Sequence, residues 1–211
     1  MTEIIQGSPE WKALRCGRVT ASRVADVVAK TKTGYSASRA NYLAQLITER
    51  LTGTQAETYT NAAMQHGTET EPEARCAYEF YHGVKVEQIA FVPHPKIDQA
   101  GASPDGLVGG SGLVEIKCPQ SATHLETLLG QAVPAKYIDQ MQFQMACTGR
   151  QWCDFVSYDN RMPENMRLFV RRVHRDDKRI DFLETEIAGF LLEMAVKLSE
   201  LSSIYGQQEA A

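Results

Sequence analysis

The 211-residue chain has no run of about 18 or more apolar residues, so no membrane-spanning helix is expected. Its first residues, Met1 to Glu10, lack a charged segment followed by an apolar one. No secretory leader is visible, and the cytoplasm is the expected compartment. There is no Cys-x-x-Cys, and the five cysteines (Cys16, Cys76, Cys118, Cys147 and Cys153) are odd in number. That excludes a disulfide framework and a zinc cluster and leaves free, buried thiols as the expectation. No repeat, low-complexity tract or linker interrupts the chain. Gly109-Gly110-Ser111-Gly112 is too short to separate domains and reads as a hairpin loop, so residues 1–211 are expected to form a single domain. Positive charge is not in excess either: 22 Lys and Arg against 26 Asp and Glu give a net −4. A generally basic nucleic-acid coat protein is thereby excluded, but a local basic groove is not, because a field depends on how charge is distributed. The densest basic stretch is Arg161, Arg167, Arg171, Arg172, Arg175, Lys178 and Arg179, either a solvated face or a rim that contacts phosphates.

What the chain does have is a change of period along its length. The first half reads as helices: a short one starting at Ser8-Pro9-Glu10, then 22–29, 38–51 with Gly53 as its stop, and 62–81. Pro72 is expected to kink the last of these, or to restart it with Thr70 and Glu73 as a capping box. The middle reads as strands at 84–92, 99–103 and 113–117, the last two joined by the glycine loop. Helices at 121–129 and 135–147, strands at 152–158 and 166–173, and a long amphipathic helix at 177–201 follow. The expected fold is α/β (α+β mixed): a central mixed β-sheet flanked by helices.

The chemistry concentrates at Ser103-Pro104-Asp105-Gly106-Leu107 and Leu113-Val114-Glu115-Ile116-Lys117-Cys118-Pro119. Glu115 and Lys117 lie two apart on a strand, so their side chains share one face while Ile116 points into the core. A tight loop brings Asp105 opposite. Two carboxylates suit a hard cation that keeps several waters, which is the usual arrangement for Mg2+, with Mn2+ as a substitute. The Ile116 backbone carbonyl supplies a further oxygen. A metal there would acidify a bound water and neutralise charge on a phosphoryl group, with Lys117 holding or deprotonating the attacking water. The bland reading, a surface ion pair in a hairpin, fits Glu-x-Lys alone. It fits poorly a Pro-Asp followed ten residues later by Glu-x-Lys across a glycine loop.

Pro104-Asp105…Glu115-Ile116-Lys117 resembles the PD-(D/E)xK nuclease motif, which implies a restriction-endonuclease-like core. The longer string Ser-Pro-Asp-Gly-Leu…Glu-Ile-Lys-Cys-Pro resembles the phage lambda exonuclease group, also called the YqaJ-like viral recombinases. Trp11 to Ser22 is similar to that group's N-terminal motif, Gly67 to Glu71 to its helical motif, and Gln140-Met141-Gln142 to its Gln-x-Gln helix. The similarity is ordered and runs over roughly residues 9 to 173. It implies a Mg2+-dependent, processive 5′-to-3′ exonuclease on double-stranded DNA ends, working in the cytoplasm of a bacterial host. Its products are mononucleotides and a 3′ single strand handed to a single-strand annealing protein. The resemblance further implies a homotrimeric ring, whose enclosed channel would reconcile an acidic chain with DNA binding.

The resemblance also assigns residues. Arg15 and Ser22 correspond to the 5′-phosphate ligands, Glu71 to a third acidic catalytic residue, and Gln142 to the second glutamine of the pair. Ser103, Gln140, His66 and Trp11 are DNA-contact candidates. Each has a plainer reading: a surface arginine for Arg15, an N-cap for Ser22, a first-turn glutamate favoured by the helix dipole for Glu71, and a satisfied core amide for Gln142. His66 reads equally as a satisfied histidine, and Trp11 more readily as core than as a DNA wedge. Two other functions stay open: a PD-(D/E)xK endonuclease of repair or restriction type, and a non-enzymatic DNA-end-binding module.

Overall fold

A computed structural model describes residues 4–56 and 61–206; the first residues of the stretch that lacks a leader pattern lie outside them. Helix α1 (Pro9–Arg15) begins on Ser8, whose side chain accepts from the Trp11 amide, with proline at the first helical position. A two-residue strand, β1 (Val19–Thr20), leads through a 3-10 turn (Ala21–Arg23) to α2 (Val24–Val28). The predicted helix over 22–29 is therefore split, and Ser22 lies inside the tighter turn rather than capping an α-helix. A small hairpin, β2 (Lys30–Thr31) and β3 (Gly34–Tyr35), precedes α3 (Ala37–Thr52), which Gly53 ends in the left-handed region.

Helix α4 (Ala62–His82) runs unbroken through Pro72, starting on Asn61, whose side chain accepts from the Met64 amide. The restart expected at Thr70 does not occur. Instead, Ala74 and Tyr78 are fully buried against the sheet, and that packing holds the helix despite the hydrogen bond Pro72 removes. Glu73 is engaged across the fold, accepting from the Tyr158 hydroxyl and the Asn160 amide, each at 2.8 Å.

The predicted strand at 84–92 resolves into two short ones in different sheets, β4 (Val86–Glu87) and β5 (Val92–Pro93). After β6 (Ala100–Ala102), β7 (Gly106–Val108) and β8 (Gly112–Lys117) form the hairpin. The partner of β8 is thus Gly106–Val108, not the segment at 99–103, which pairs with β1 and β5 elsewhere. Gly109 takes φ +53° at the turn, a conformation that suits glycine. Helices α5 (Ser121–Gly130) and α6 (Ile138–Thr148), strands β9 (Trp152–Tyr158) and β10 (Leu168–His174), and helix α7 (Asp177–Tyr205) complete the chain.

The main sheet has the order β10-β9-β8-β7-β4, antiparallel except for the parallel pair β8–β9. Such a mixed sheet buries both faces, which is why nearly every residue of β8 and β9 is buried. Leu113 and Phe155 pack on one face against α6 and α7 in the larger core, which includes Met141, Phe143, Leu183, Ile187 and Phe190. Val114, Ile116 and Val156 pack on the other face against α4. Each fully buried apolar side chain of this kind contributes about 1.5–3 kcal/mol. Period-two alternation along β8 therefore places Glu115 and Lys117 on the α6 side and Ile116 on the α4 side. Among the described residues, no helix is long and apolar enough to cross a membrane.

Candidate active site

The register of the β7–β8 hairpin, with Gly106 opposite Val114, puts Asp105 across from Glu115 one step further along. Its Oδ2 accepts the Ile116 N–H at 2.6 Å, which fixes the carboxylate at the end of the hairpin. Glu115 is 1% exposed. It survives there because donors surround it: Oε1 accepts from Gln140 Nε2 at 2.5 Å and from the Lys117 ammonium, and Oε2 accepts from Gln144 Nε2 at 2.6 Å. Lys117 also lies over the Tyr137 ring, 5.3 Å from its centroid. Asp105, Glu115 and Lys117 thus converge.

Glu71 comes from α4 and faces the same cleft of about 370 Å³, whose lining includes Met64, Gly67, Ile116, Lys117 and Tyr137. A larger cleft of about 510 Å³ runs beside β4 and contains none of these acidic site residues. The carboxylates feel one another. Burial, and then the Glu115 charge, push the Asp105 carboxyl well above the usual range, against the pull of Lys117. Burial also raises Glu71, with Arg75 at 3.8 Å only partly opposing it. Burial works against the charged form of Lys117, but Glu115 and Asp105 outweigh it and hold the ammonium above its ordinary value. Cys118, next along the strand, is pushed up to about 12 by burial and by Glu71 and Asp105, so it is an inert thiol.

The donor set suits a hard divalent cation. Asp105 and Glu115 present oxygens whose mutual repulsion a cation would relieve, and Ile116, whose carbonyl would be a further oxygen ligand, lines the cleft. Among the described residues no group of three or more His, Cys, Asp or Glu side chains is close enough to hold a metal. Asp105 and Glu115 are the carboxylates that would hold such an ion, and Glu71 lines the cleft next to Lys117.

A second, smaller pocket of about 170 Å³ holds Arg15 and Ser22 together with Arg18, Thr20, Arg23 and Glu49. Arg15 Nη1 donates to Ser103 Oγ at 3.1 Å, and its guanidinium lies 4.2 Å from the Trp11 ring centroid. Trp11 Nε1 donates to Ser103 Oγ at 3.0 Å and to the Ala90 carbonyl at 2.9 Å. Trp11 is thereby a half-buried support for Arg15, not a projecting wedge. Burial lowers the Arg15 pKa, with Tyr42 and Glu49 opposing the shift.

One expectation is corrected. Gln142 is buried, but its amide donates to the His174 carbonyl and accepts from the Asp176 N–H, both at 2.8 Å. It ties β10 to the start of α7 and faces away from the carboxylates. Helix geometry gives the reason: residues 140 and 144 share a face, and residue 142 lies nearly opposite. The glutamine sequence reasoning missed is Gln144, for which the i, i+4 spacing from Gln140 was the available signal. His66 stands on α4 one residue before Gly67, which lines the cleft. Its Nδ1 meets Thr70 Oγ1 at 3.3 Å, and its Nε2 has no hydrogen-bond partner among the described residues.

A mixed sheet flanked by helices is a fold shared with phage exonuclease-type nucleases. A phage-related exonuclease from Haemophilus somnus has it at TM-score 0.72 and 17% identity, over 88% of this chain and 96% of that one. The YqaJ-like viral recombinase domain matches residues 10–151, and the chain belongs to that family. An alkaline exonuclease from Laribacter hongkongensis is 51% identical, with TM-score 0.90, over 96% of this chain and all of that one. The same enzyme is also solved in complex with dAMP. No curated protein matches the chain.

Proposed function

We propose that this protein is a Mg2+-dependent exonuclease that degrades double-stranded DNA from 5′ ends, releases 5′-mononucleotides and leaves a 3′ single strand. The observation that carries the reading is the pairing of two sites. Asp105, Glu115 and Lys117 converge at the end of the β7–β8 hairpin, with Lys117 reaching the cleft, and a basic pocket with Arg15 and Ser22 is linked to them through Ser103. The 51% identical alkaline exonuclease supports the activity, and its dAMP complex supports a mononucleotide product.

Asp105, Glu115 and the Ile116 carbonyl would hold Mg2+, or Mn2+ in its place. The ion would neutralise charge on the phosphoryl group and acidify a water. The remaining work falls to the chain. Gln140 and Gln144 keep both Glu115 oxygens oriented. Lys117, whose ammonium pairs with Glu115 and reaches the cleft, is placed to donate to the attacking water or a phosphoryl oxygen. Glu71, with its raised pKa at the cleft wall, is suited to accept the proton the water gives up. Arg15 and Ser22 grip the terminal 5′ phosphate, the arginine through charge-assisted hydrogen bonds. Processive digestion fits a homotrimeric ring around the duplex, and the 3′ strand suits a single-strand annealing protein.

The test is nucleotide release from linear duplex DNA carrying one 5′-phosphate and one 5′-hydroxyl end, with and without Mg2+. Metal-dependent loss of the phosphorylated strand is expected, with covalently closed circles left intact. Bound but undegraded DNA would turn the reading toward an end-binding module, and cleavage of closed circles toward an endonuclease.

A further inference from the structure

One buried carboxylate at the Arg15 pocket takes no part in the nuclease chemistry. Glu49, near the end of α3, is 2% exposed. Its Oε2 accepts the Gly17 N–H at 2.8 Å, and its Oε1 accepts from Gln45 Nε2 at 2.8 Å and from the Ala56 N–H at 3.2 Å. The next residue, Arg50, donates from Nε to the Gly17 carbonyl at 2.9 Å. Two consecutive side chains of one helix therefore hold both backbone groups of Gly17. This glycine has φ +67°, and a Cβ on it would lie 2.6 Å from Arg50 Cγ. Further along the same helix, the Tyr42 hydroxyl accepts the Thr20 N–H at 3.2 Å and donates to the Arg18 carbonyl at 3.4 Å. The connection from Arg15 to Ser22 is thus templated on α3.

An acidic wall is a poor choice for a pocket that takes an anion, unless its oxygens are spent elsewhere. Here both are turned to backbone and amide donors. The negative charge also supports the neighbouring Arg15 guanidinium, whose buried Nε has no hydrogen-bond partner among the described residues.

We propose that Glu49 is a positioning residue for recognition of 5′-phosphorylated DNA ends: it fixes the Cys16-Gly17-Arg18 turn so that Arg15 and Ser22 address one phosphate. This rests on the end-recognition reading above. Glu49→Gln keeps the shape but loses the charge and one acceptor. Arg50→Met leaves that charge and frees the Gly17 carbonyl. For each full-length variant, kcat and KM are measured on duplexes with 5′-phosphate and 5′-hydroxyl ends.

Loss of a charge-assisted hydrogen bond predicts a rise of about tenfold in KM for the phosphorylated end in Glu49→Gln. The phosphate-over-hydroxyl preference in kcat/KM should fall with it, and Arg50→Met should lower that preference in the same direction. A preference equal to wild type in folded Glu49→Gln, or equal losses on both ends, would overturn the inference while leaving end recognition standing. If Glu49→Gln does not fold, an unchanged preference in Arg50→Met overturns it instead. A wild type indifferent to the 5′ phosphate would remove the end-recognition reading and this inference together.

Discussion

Gln144 and Gln140 both donate to Glu115, yet replacing them should have unequal consequences. Gln144 is fully buried, and among the described residues its amide is the only side-chain donor to Glu115 Oε2. Gln144→Leu removes a hydrogen bond to a carboxylate where water cannot substitute, a loss of about 2 kcal/mol. For a chain of this length that lowers Tm by about 6 °C. Gln140 is half-buried at the cleft, and the oxygen it serves is also paired with Lys117. Water and the ammonium can cover its absence, so Gln140→Leu should cost about 1 kcal/mol, or about 3 °C. Thermal and urea unfolding of the two variants give the comparison. A second pair made in the Glu115→Ala background tests the cause: without the carboxylate, the Gln144→Leu penalty should shrink below about 0.5 kcal/mol. Equal penalties, or a Gln144 penalty that persists without Glu115, would refute the view that these amides exist to hold a buried charge.

Asp105→Asn should abolish nuclease activity yet raise the Tm of the protein measured without divalent metal, because the raised pKa of Asp105 means its ionised form is disfavoured in the metal-free fold at neutral pH. A lower Tm in scanning calorimetry would contradict that sign. Arg15→Ala should reduce the preference for 5′-phosphorylated over hydroxyl ends about tenfold or more, read as a ratio of kcat/KM values; an unchanged ratio removes the pocket's role. Asp159 is buried, and hydrogen bonds from Arg161 and Ser121 outweigh its burial and hold its pKa down at about 2, from 3.8. A depressed carboxylate stabilises the fold above its unfolded pKa and loses that contribution as pH falls, here between about pH 4 and 2. Asp159→Asn should therefore lose about 2 kcal/mol at pH 7 and almost nothing at pH 2 in urea titrations; equal losses at both would contradict the shift.

The order and type of the long elements were legible because burial imposes periodicity. The stripe of α7 and the Leu, Val, Ile and Phe positions of β8 and β9 follow from having one or two covered faces. Short-range chemistry also placed Glu115 and Lys117 on one face with Ile116 opposite. What was not legible is what depends on partners distant in sequence. Nothing local to residues 99–103 shows that this segment leaves the main sheet to pair with β1, Ala100 beside Val19. Nor does the sequence near Pro72 show Ala74 and Tyr78 locking the helix against the sheet. Gln142 was assigned from a short pattern, whereas the helix turns that position toward His174 and Asp176 and presents Gln144 to Glu115 instead. Glu49 gave no sign, because its bond to Gly17 spans 32 positions.

Ser103 and Asp105 are separated by one buried proline, Pro104, whose carbonyl accepts from Gln6 Nε2 at 2.9 Å. One end of this tripeptide is bonded to Arg15, the other to the Ile116 amide. Two residue steps of extended chain span at most about 7 Å. On the proposed reading, a stiff strut of that length separates the grip on the strand's end from the place of cutting. It acts as a ruler. The size of each fragment would then be set by covalent geometry, with no timing or counting required, and lengthening the strut by a residue would be the way to change the bite.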